Sequence, residues 1–371
     1  MDFSKITTEK LAAILCTQGI TSPTPVQLAA IPIISAKKDI IAQSATGTGK
    51  TLAYLLPIFA AFDTEIKSPQ AIVLAPTYEL AGQIAKVAQG LADTPSDVAL
   101  IIGGANKTRQ QEALKTKPKL VVGSLGRILG HMSEKKLSVH NVKSLVFDEG
   151  DRLFVSENMD GLNKLKKAVL RDTQMLLFSA STPENVVKMA VPFMKSPEIL
   201  QLDDKLPKNI QHFYIISEAR EKFDNLRKLA RAIATQVIVF VNMPFTIEKV
   251  ASRLVFHKLT AMPLYGAAEK SRRKQAMDAF HQGRIQMLVA SDVGSRGLDV
   301  DELSCVINLD LPESEKDYLH RAGRCGRMGR HGIVISIVTP REVANLEKIA
   351  KKLDISVAKK IITRGKLEGV L

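Results

Sequence analysis

An α/β fold in two similar domains, each a mostly parallel sheet flanked by helices, is what this sequence predicts. Three observations lead to it. Short apolar runs of four to six residues alternate with amphipathic stretches. Continuous apolar strands joined by helices belong to parallel sheets covered on both faces. The alternation breaks once, at the polar, proline-containing "LDDKLPKNIQ" (202–211), and then restarts. At 371 residues the chain also exceeds what one core ordinarily organises. The reading is a first domain over 1–203, a linker over 204–209 and a second domain over 210–371.

The strands expected in the first domain are "DIIAQ" (39–43), "AIVLAP" (71–76), "VALIIG" (98–103), "LVVGS" (120–124), "SLVFDE" (144–149) and "MLLFSA" (175–180). Apolar periodicity predicts helices over "TLAYLLPIFAAF" (51–62) and "YELAGQIAKVAQGLA" (78–92). In the second domain the strands are "HFYIIS" (212–217), "QVIVFVN" (236–242), "TAMPLYG" (260–266), "QMLVAS" (286–291), "CVINLD" (305–310) and "GIVISIVT" (332–339). Helical segments are expected to close the chain, with no auxiliary tail. In such folds ligands gather at the carboxyl ends of the strands.

No apolar run reaches the roughly 18–20 residues of a membrane span, and the N-terminus carries no secretory pattern. Cys16, Cys305 and Cys325 match no zinc spacing and fit reduced thiols in the cytoplasm. The formal net charge is +14. Basic residues outnumber acidic ones by 24 to 20 up to residue 205 and by 28 to 18 beyond it. That excess suits a polyanionic partner, although many soluble proteins are simply basic.

"IIAQSATGTGKTLAYLL" (40–56) reads as strand, Gly-rich turn and helix, with the core Thr46, Gly47, Thr48, Gly49, Lys50 and Thr51. The glycines let backbone N–H groups curl around a phosphate at a helix N-terminus. Lys50 reaches the β- and γ-phosphates, and the Thr51 hydroxyl binds Mg²⁺. Only Ser44 departs from the full pattern, which has glycine there. In "KSLVFDEGD" (143–151) an apolar strand runs into Asp148, Glu149 and Asp151. A buried strand ending in three carboxylates asks for a cation, and the phosphate loop supplies Mg²⁺ on a nucleoside triphosphate. Asp148 would hold it through water. Glu149 would orient and deprotonate the attacking water. Asp151 would hydrogen-bond neighbouring motifs. In "HRAGRCGRMG" (320–329), His320, Arg321, Arg324 and Arg327 crowd one segment, and such a cluster repels itself unless an anion sits among them.

With these motifs in place, the chain resembles the DEAD-box ATP-dependent RNA helicases, nearly end to end. The resemblance implies two tandem RecA-like domains closing over ATP and one RNA strand. "GITSPTPVQ" (19–27) is similar to the adenine-reading motif, with Gln27 facing the base edge, Ile20 beside it and Phe3 at the upstream aromatic position. "PTYELA" (76–81), "GG" (103–104) and "GSLGR" (123–127) resemble the RNA-gripping motifs, which implies phosphate contacts from Pro76, Thr77, Gly104, Gly123 and Arg127. "SAS" (179–181) resembles the linkage motif, so Ser179, Ser181, Asp151, His320 and Arg321 would couple the domains. "VFVN" (239–242), "SDVGSRGLD" (291–299) and "HRAGRCGRMG" follow in family order. They imply RNA contacts at Gly294 and Arg296, ribose binding by Asp299, and γ-phosphate contacts by Arg324 and Arg327.

The chain departs from the family pattern at several positions. Gly150 stands for the alanine of Asp-Glu-Ala-Asp, Tyr78 for an arginine, Leu125 for a proline, Ile20 for an aromatic residue and Lys270 for a glutamine. The activity implied is an RNA-dependent ATPase that separates short duplexes or strips proteins from RNA. Its cofactors would be ATP and Mg²⁺, and its RNA contacts largely independent of sequence. A cytoplasmic monomer is expected, with ribosome-assembly or RNA-decay factors as candidate partners. The rival readings are an ATP-dependent RNA clamp without turnover, a DNA helicase of the same superfamily, and a small-molecule kinase.

Overall fold

Strands apolar on both sides must be covered on both sides, and this chain achieves that twice. The computed structural model describes residues 2–44, 47–104, 106–202, 209–264, 270–292, 303–326, 331–363 and 366–369. Contacts divide the chain into two units, Met1–Asp203 and Asp204–Leu371. The expected linker, 204–209, falls outside the described residues except for Asn209.

The first unit holds β1 (Ile40–Gln43), β2 (Ala71–Leu74), β3 (Val98–Ile101), β4 (Leu120–Gly123), β5 (Ser144–Asp148), β6 (Gln174–Ser179) and β7 (Glu198–Gln201). They form one sheet in the order β3-β4-β2-β5-β6-β1-β7, and every pairing is parallel. Successive side chains enter opposite cores. On β2, Ala71 and Val73 join one apolar cluster, and Ile72 and Leu74 join the other. Helices Lys50–Ala60 and Tyr78–Leu91 contribute to the first cluster, as their periodicity predicted.

The second unit holds β8 (Ile210–Ile216), β9 (Val237–Phe240), β10 (Ala261–Pro263), β11 (Met287–Ala290), β12 (Cys305–Asn308), β13 (Gly332–Val338), β14 (Val357–Thr363) and β15 (Lys366–Gly369). Their order is β10-β11-β9-β12-β13-β8-β14-β15, parallel except for the antiparallel β14–β15 pair.

Among the described residues all twelve strands expected from the sequence are present, and three more join them. β7 is a mostly exposed edge strand whose apolar pattern is faint. The chain does not close on helices alone, because helix Val343–Leu353 is followed by β14 and β15. Val357, Ile361, Ile362 and Thr363 are β-branched; Val357 pairs with β8, and Ile361, Ile362 and Thr363 pair with β15. No helix among the described residues is long and apolar enough to cross a membrane.

The strand order divides the first sheet by chemistry. The carboxyl ends of β5, β6 and β1 lie side by side, and those of β3, β4 and β2 lie side by side. The candidate nucleotide residues follow the first group, and the candidate RNA residues follow the second.

Candidate active site

The phosphate loop grows out of β1. Ser44 is buried, and its hydroxyl lies 2.7 Å from the Thr48 hydroxyl. A serine therefore replaces the usual glycine by bonding inside the loop. Lys50 Nζ donates to the Ser44 carbonyl oxygen at 2.6 Å. Gly47 and Gly49 take left-handed conformations, φ 80° and 91°, and Gly49 caps helix Lys50–Ala60. A Cβ on Gly49 would also fall 2.4 Å from Gln27 Nε2. Gln27 belongs to this loop as well as to its own helix. Its Nε2 donates to the Gly49 carbonyl at 3.1 Å, and its Oε1 accepts the Thr24 N–H at 2.9 Å. Thr46 lies outside the described residues.

Next to the loop, β5 delivers the acid cluster. Asp148 is 3% exposed. Its Oδ1 accepts the Glu149 N–H at 2.9 Å, and its Oδ2 accepts the Tyr54 hydroxyl at 2.8 Å. Burial raises the Asp148 pKa, while the Lys50 charge and the Tyr54 hydrogen bond pull it back. Burial and the neighbouring Asp148 charge push the Tyr54 hydroxyl well above its ordinary value, so it stays a donor. Glu149 follows at φ 50°, a strained conformation for a side chain with a Cβ. Arg152 Nη1 lies 3.6 Å from its carboxylate. Asp151 accepts hydrogen bonds from Ser179 Oγ at 2.5 Å and Ser181 Oγ at 3.5 Å, tying the acid cluster to the end of β6.

A Cβ on Gly150 would lie 2.6 Å from Leu177 Cγ, so an alanine there would require the Leu177 side chain to shift. Thr51 and Asp148 present only hydroxyl and carboxylate oxygens, a donor set that suits a hard cation such as Mg²⁺. Among the described residues no group of three or more His, Cys, Asp or Glu forms a metal cage. Mg²⁺ needs none, because it keeps waters and shares phosphate oxygens.

The other half of the sheet carries the candidate RNA loops. Pro76 and Thr77 follow β2, and the Thr77 hydroxyl accepts the Leu80 N–H at 3.3 Å, capping helix Tyr78–Leu91. Gly104 follows β3 at φ 79°. At the end of β4, a Cβ on Gly123 would fall 2.2 Å from the Ile101 carbonyl oxygen, so only glycine fits. Arg127, on helix Leu125–Ser133, donates from Nη2 to Gln110 Oε1 at 3.4 Å. Gln110 Nε2 in turn holds the Ile102 carbonyl at 2.9 Å. Gln110 thus links two of the expected RNA loops, which the sequence reading missed.

Phe3 and Arg321 make contacts that the motifs did not spell. Phe3 is 1% exposed and packs in the core of the first unit with Leu11 and Leu15. Its ring anchors the N-terminal segment. Ile20 is partly buried against the same core. Arg321, expected to couple the units, is 1% exposed and spends all five of its N–H groups within the second unit. Nε and Nη2 grip the Asp292 carboxylate at 2.7 and 2.6 Å. Nη1 donates to Asn308 Oδ1 at 3.2 Å and to the Asp310 carbonyl at 2.7 Å, and Nη2 to Asn242 Oδ1 at 2.8 Å. It acts as a strut joining the ends of β9, β11 and β12. His320 is half-buried and Arg324 is 5% exposed. Gly294, Arg296, Asp299 and Arg327 lie outside the described residues, as does the Lys270 side chain.

Comparison with known proteins agrees with this arrangement. Residues 24–189 match the DEAD/DEAH box helicase family, and residues 221–329 match the helicase conserved C-terminal domain. The chain is 41% identical to the DEAD-box ATP-dependent RNA helicase CshC of Bacillus cereus, over 94% of this chain and 90% of that one. It is 38% identical to the probable ATP-dependent RNA helicase YfmL of Bacillus subtilis, over 94% of each. Among solved structures, S. cerevisiae Dbp5 bound to RNA and ADP BeF3 matches with a TM-score of 0.84 at 29% identity, over 96% of this chain and 95% of that one. The phosphate loop, the acid cluster and these likenesses converge: the chain belongs to the DEAD-box ATP-dependent RNA helicase family.

Proposed function

We propose that the protein is an RNA-dependent ATPase that opens short RNA duplexes or strips proteins from RNA. The observation that carries this reading is the hydrogen bonding of Asp151 to Ser179 and Ser181, which ties the end of β5 to the end of β6 in the sheet whose strand ends carry both sets of candidate residues. Family membership and the RNA-bound Dbp5 relative support it.

In this reading Lys50 and the loop N–H groups hold the triphosphate, and Gln27 ties that loop to the base-reading segment. Glu149 takes a proton from the attacking water. Thr51 and Asp148 hold Mg²⁺, which neutralises developing phosphate charge. Arg324 and Arg327 reach the γ-phosphate when the two units close, with Asp299 on the ribose, and Arg321 keeps their segment in place. Thr77, Gly104, Gly123 and Arg127 in the first unit and Gly294 and Arg296 in the second grip phosphates and 2′-hydroxyls. Such contacts carry no base sequence. RNA that favours the closed form drives turnover, because it binds that form better. The protein acts as a cytoplasmic monomer, and ribosome-assembly or RNA-decay factors are its candidate partners.

The test is multiple-turnover phosphate release with single-stranded RNA and with DNA of the same sequence. RNA is expected to raise the rate and DNA to leave it near basal. Equal stimulation by both would remove the RNA assignment. ATP binding without turnover would leave a clamp.

A further inference from the structure

Tyr54 lies one helical turn beyond Lys50, in the middle of the apolar helix Lys50–Ala60. Its side chain is fully buried, with its ring 5.2 Å from that of Phe178. A buried tyrosine hydroxyl needs a partner. This one donates to Asp148 Oδ2 at 2.8 Å. Thr51, three residues earlier on the same helix, shares a face with Tyr54. The second carboxylate oxygen of Asp148 is held by the Glu149 N–H at 2.9 Å. Between them these bonds fix the rotation of the Asp148 carboxylate. A phenylalanine would fill the same core volume without the bond to Asp148.

We propose that Tyr54 is a positioning residue for the nucleotide-bound cation, setting the Asp148 carboxylate for the coordination of Mg²⁺. The inference rests on the reading that Asp148 and Thr51 hold Mg²⁺ on ATP. Groups that orient metal ligands typically contribute about 10–100-fold in metal affinity. Tyr54 acts through Asp148, so its effect must show in magnesium dependence.

The experiment measures binding of a fluorescent ADP analogue to the full chain as Mg²⁺ is titrated, without RNA and without turnover. Tyr54→Phe is expected to raise the Mg²⁺ concentration at half-saturation about tenfold. Nucleotide affinity in excess EDTA should stay that of the wild type. Phe178→Leu loosens the same packing and keeps the hydroxyl. It is expected to lower the unfolding temperature without moving the Mg²⁺ midpoint. An unshifted midpoint in Tyr54→Phe would overturn the proposal, and so would an equal shift in Phe178→Leu. A Tyr54→Phe chain that fails to fold would make the hydroxyl a structural group and overturn it too. A wild-type chain whose nucleotide binding ignores Mg²⁺ would instead sink the underlying reading.

Discussion

Replacing Glu149 by glutamine preserves the size of a side chain held at φ 50° and removes its basicity. A general base of this kind contributes about 10²–10⁴ in rate. Glu149→Gln is therefore expected to bind ATP like the wild type and to release phosphate at least about 100-fold more slowly in a coupled assay. Wild-type turnover would remove Glu149 from the chemistry. One residue further, Gly150→Ala restores the family's usual acid motif but drives a Cβ into Leu177, which is fully buried. Overpacking costs about 1–3 kcal/mol, more than the roughly 0.5–1 kcal/mol that losing glycine's freedom returns. The variant should unfold at lower temperature, and a rise in unfolding temperature would show Leu177 turning aside freely. Residues such as Lys50, Asp148 and Asp151 were legible in the sequence because their chemistry is spelled within a few positions. Tyr54 was not, because a tyrosine in an apolar helix reads as core and its partner lies 94 residues away. The contacts of Arg321, though not the residue itself, escaped for the same reason. Its partners Asn242, Asp292, Asn308 and Asp310 meet only once β9, β11 and β12 lie side by side.

At the scale of the element, β8 buries His212, whose Nδ1 lies 3.0 Å from the Tyr318 hydroxyl. Burial lowers the His212 pKa from 6.5 to about 4. Between those values the unfolded chain binds the proton and the folded chain does not. The contribution of this site is complete above pH 6.5 and falls as pH drops towards 4, by at most about 1.4 kcal/mol per pH unit. Urea unfolding followed by far-ultraviolet circular dichroism (the chain has no tryptophan) should show a shallower acid slope for His212→Gln than for the wild type. Identical slopes would contradict the assignment. Strands buried on both faces were legible because they read as continuous apolar runs. The strands β7 and β14 were not, because their side chains are largely exposed or half-buried and only the neighbouring strands select their conformation.

For the whole molecule, the +14 charge and the phosphate contacts proposed in both units make RNA binding an electrostatic matter. If about six phosphates are neutralised, affinity should fall on the order of 10³-fold between 50 and 200 mM salt in a fluorescence-anisotropy titration. A flat response would remove phosphate contacts as the main source of binding. The division of labour between the units is the central claim: the first binds and positions ATP, and the second supplies the arginines that complete the chemistry. It is tested most directly by RNA-stimulated phosphate release from the full chain carrying Arg324→Gln, with ATP binding measured alongside. The account predicts intact ATP binding and a loss of about 10³-fold or more in stimulated turnover. Stimulated turnover equal to that of the wild type would contradict it.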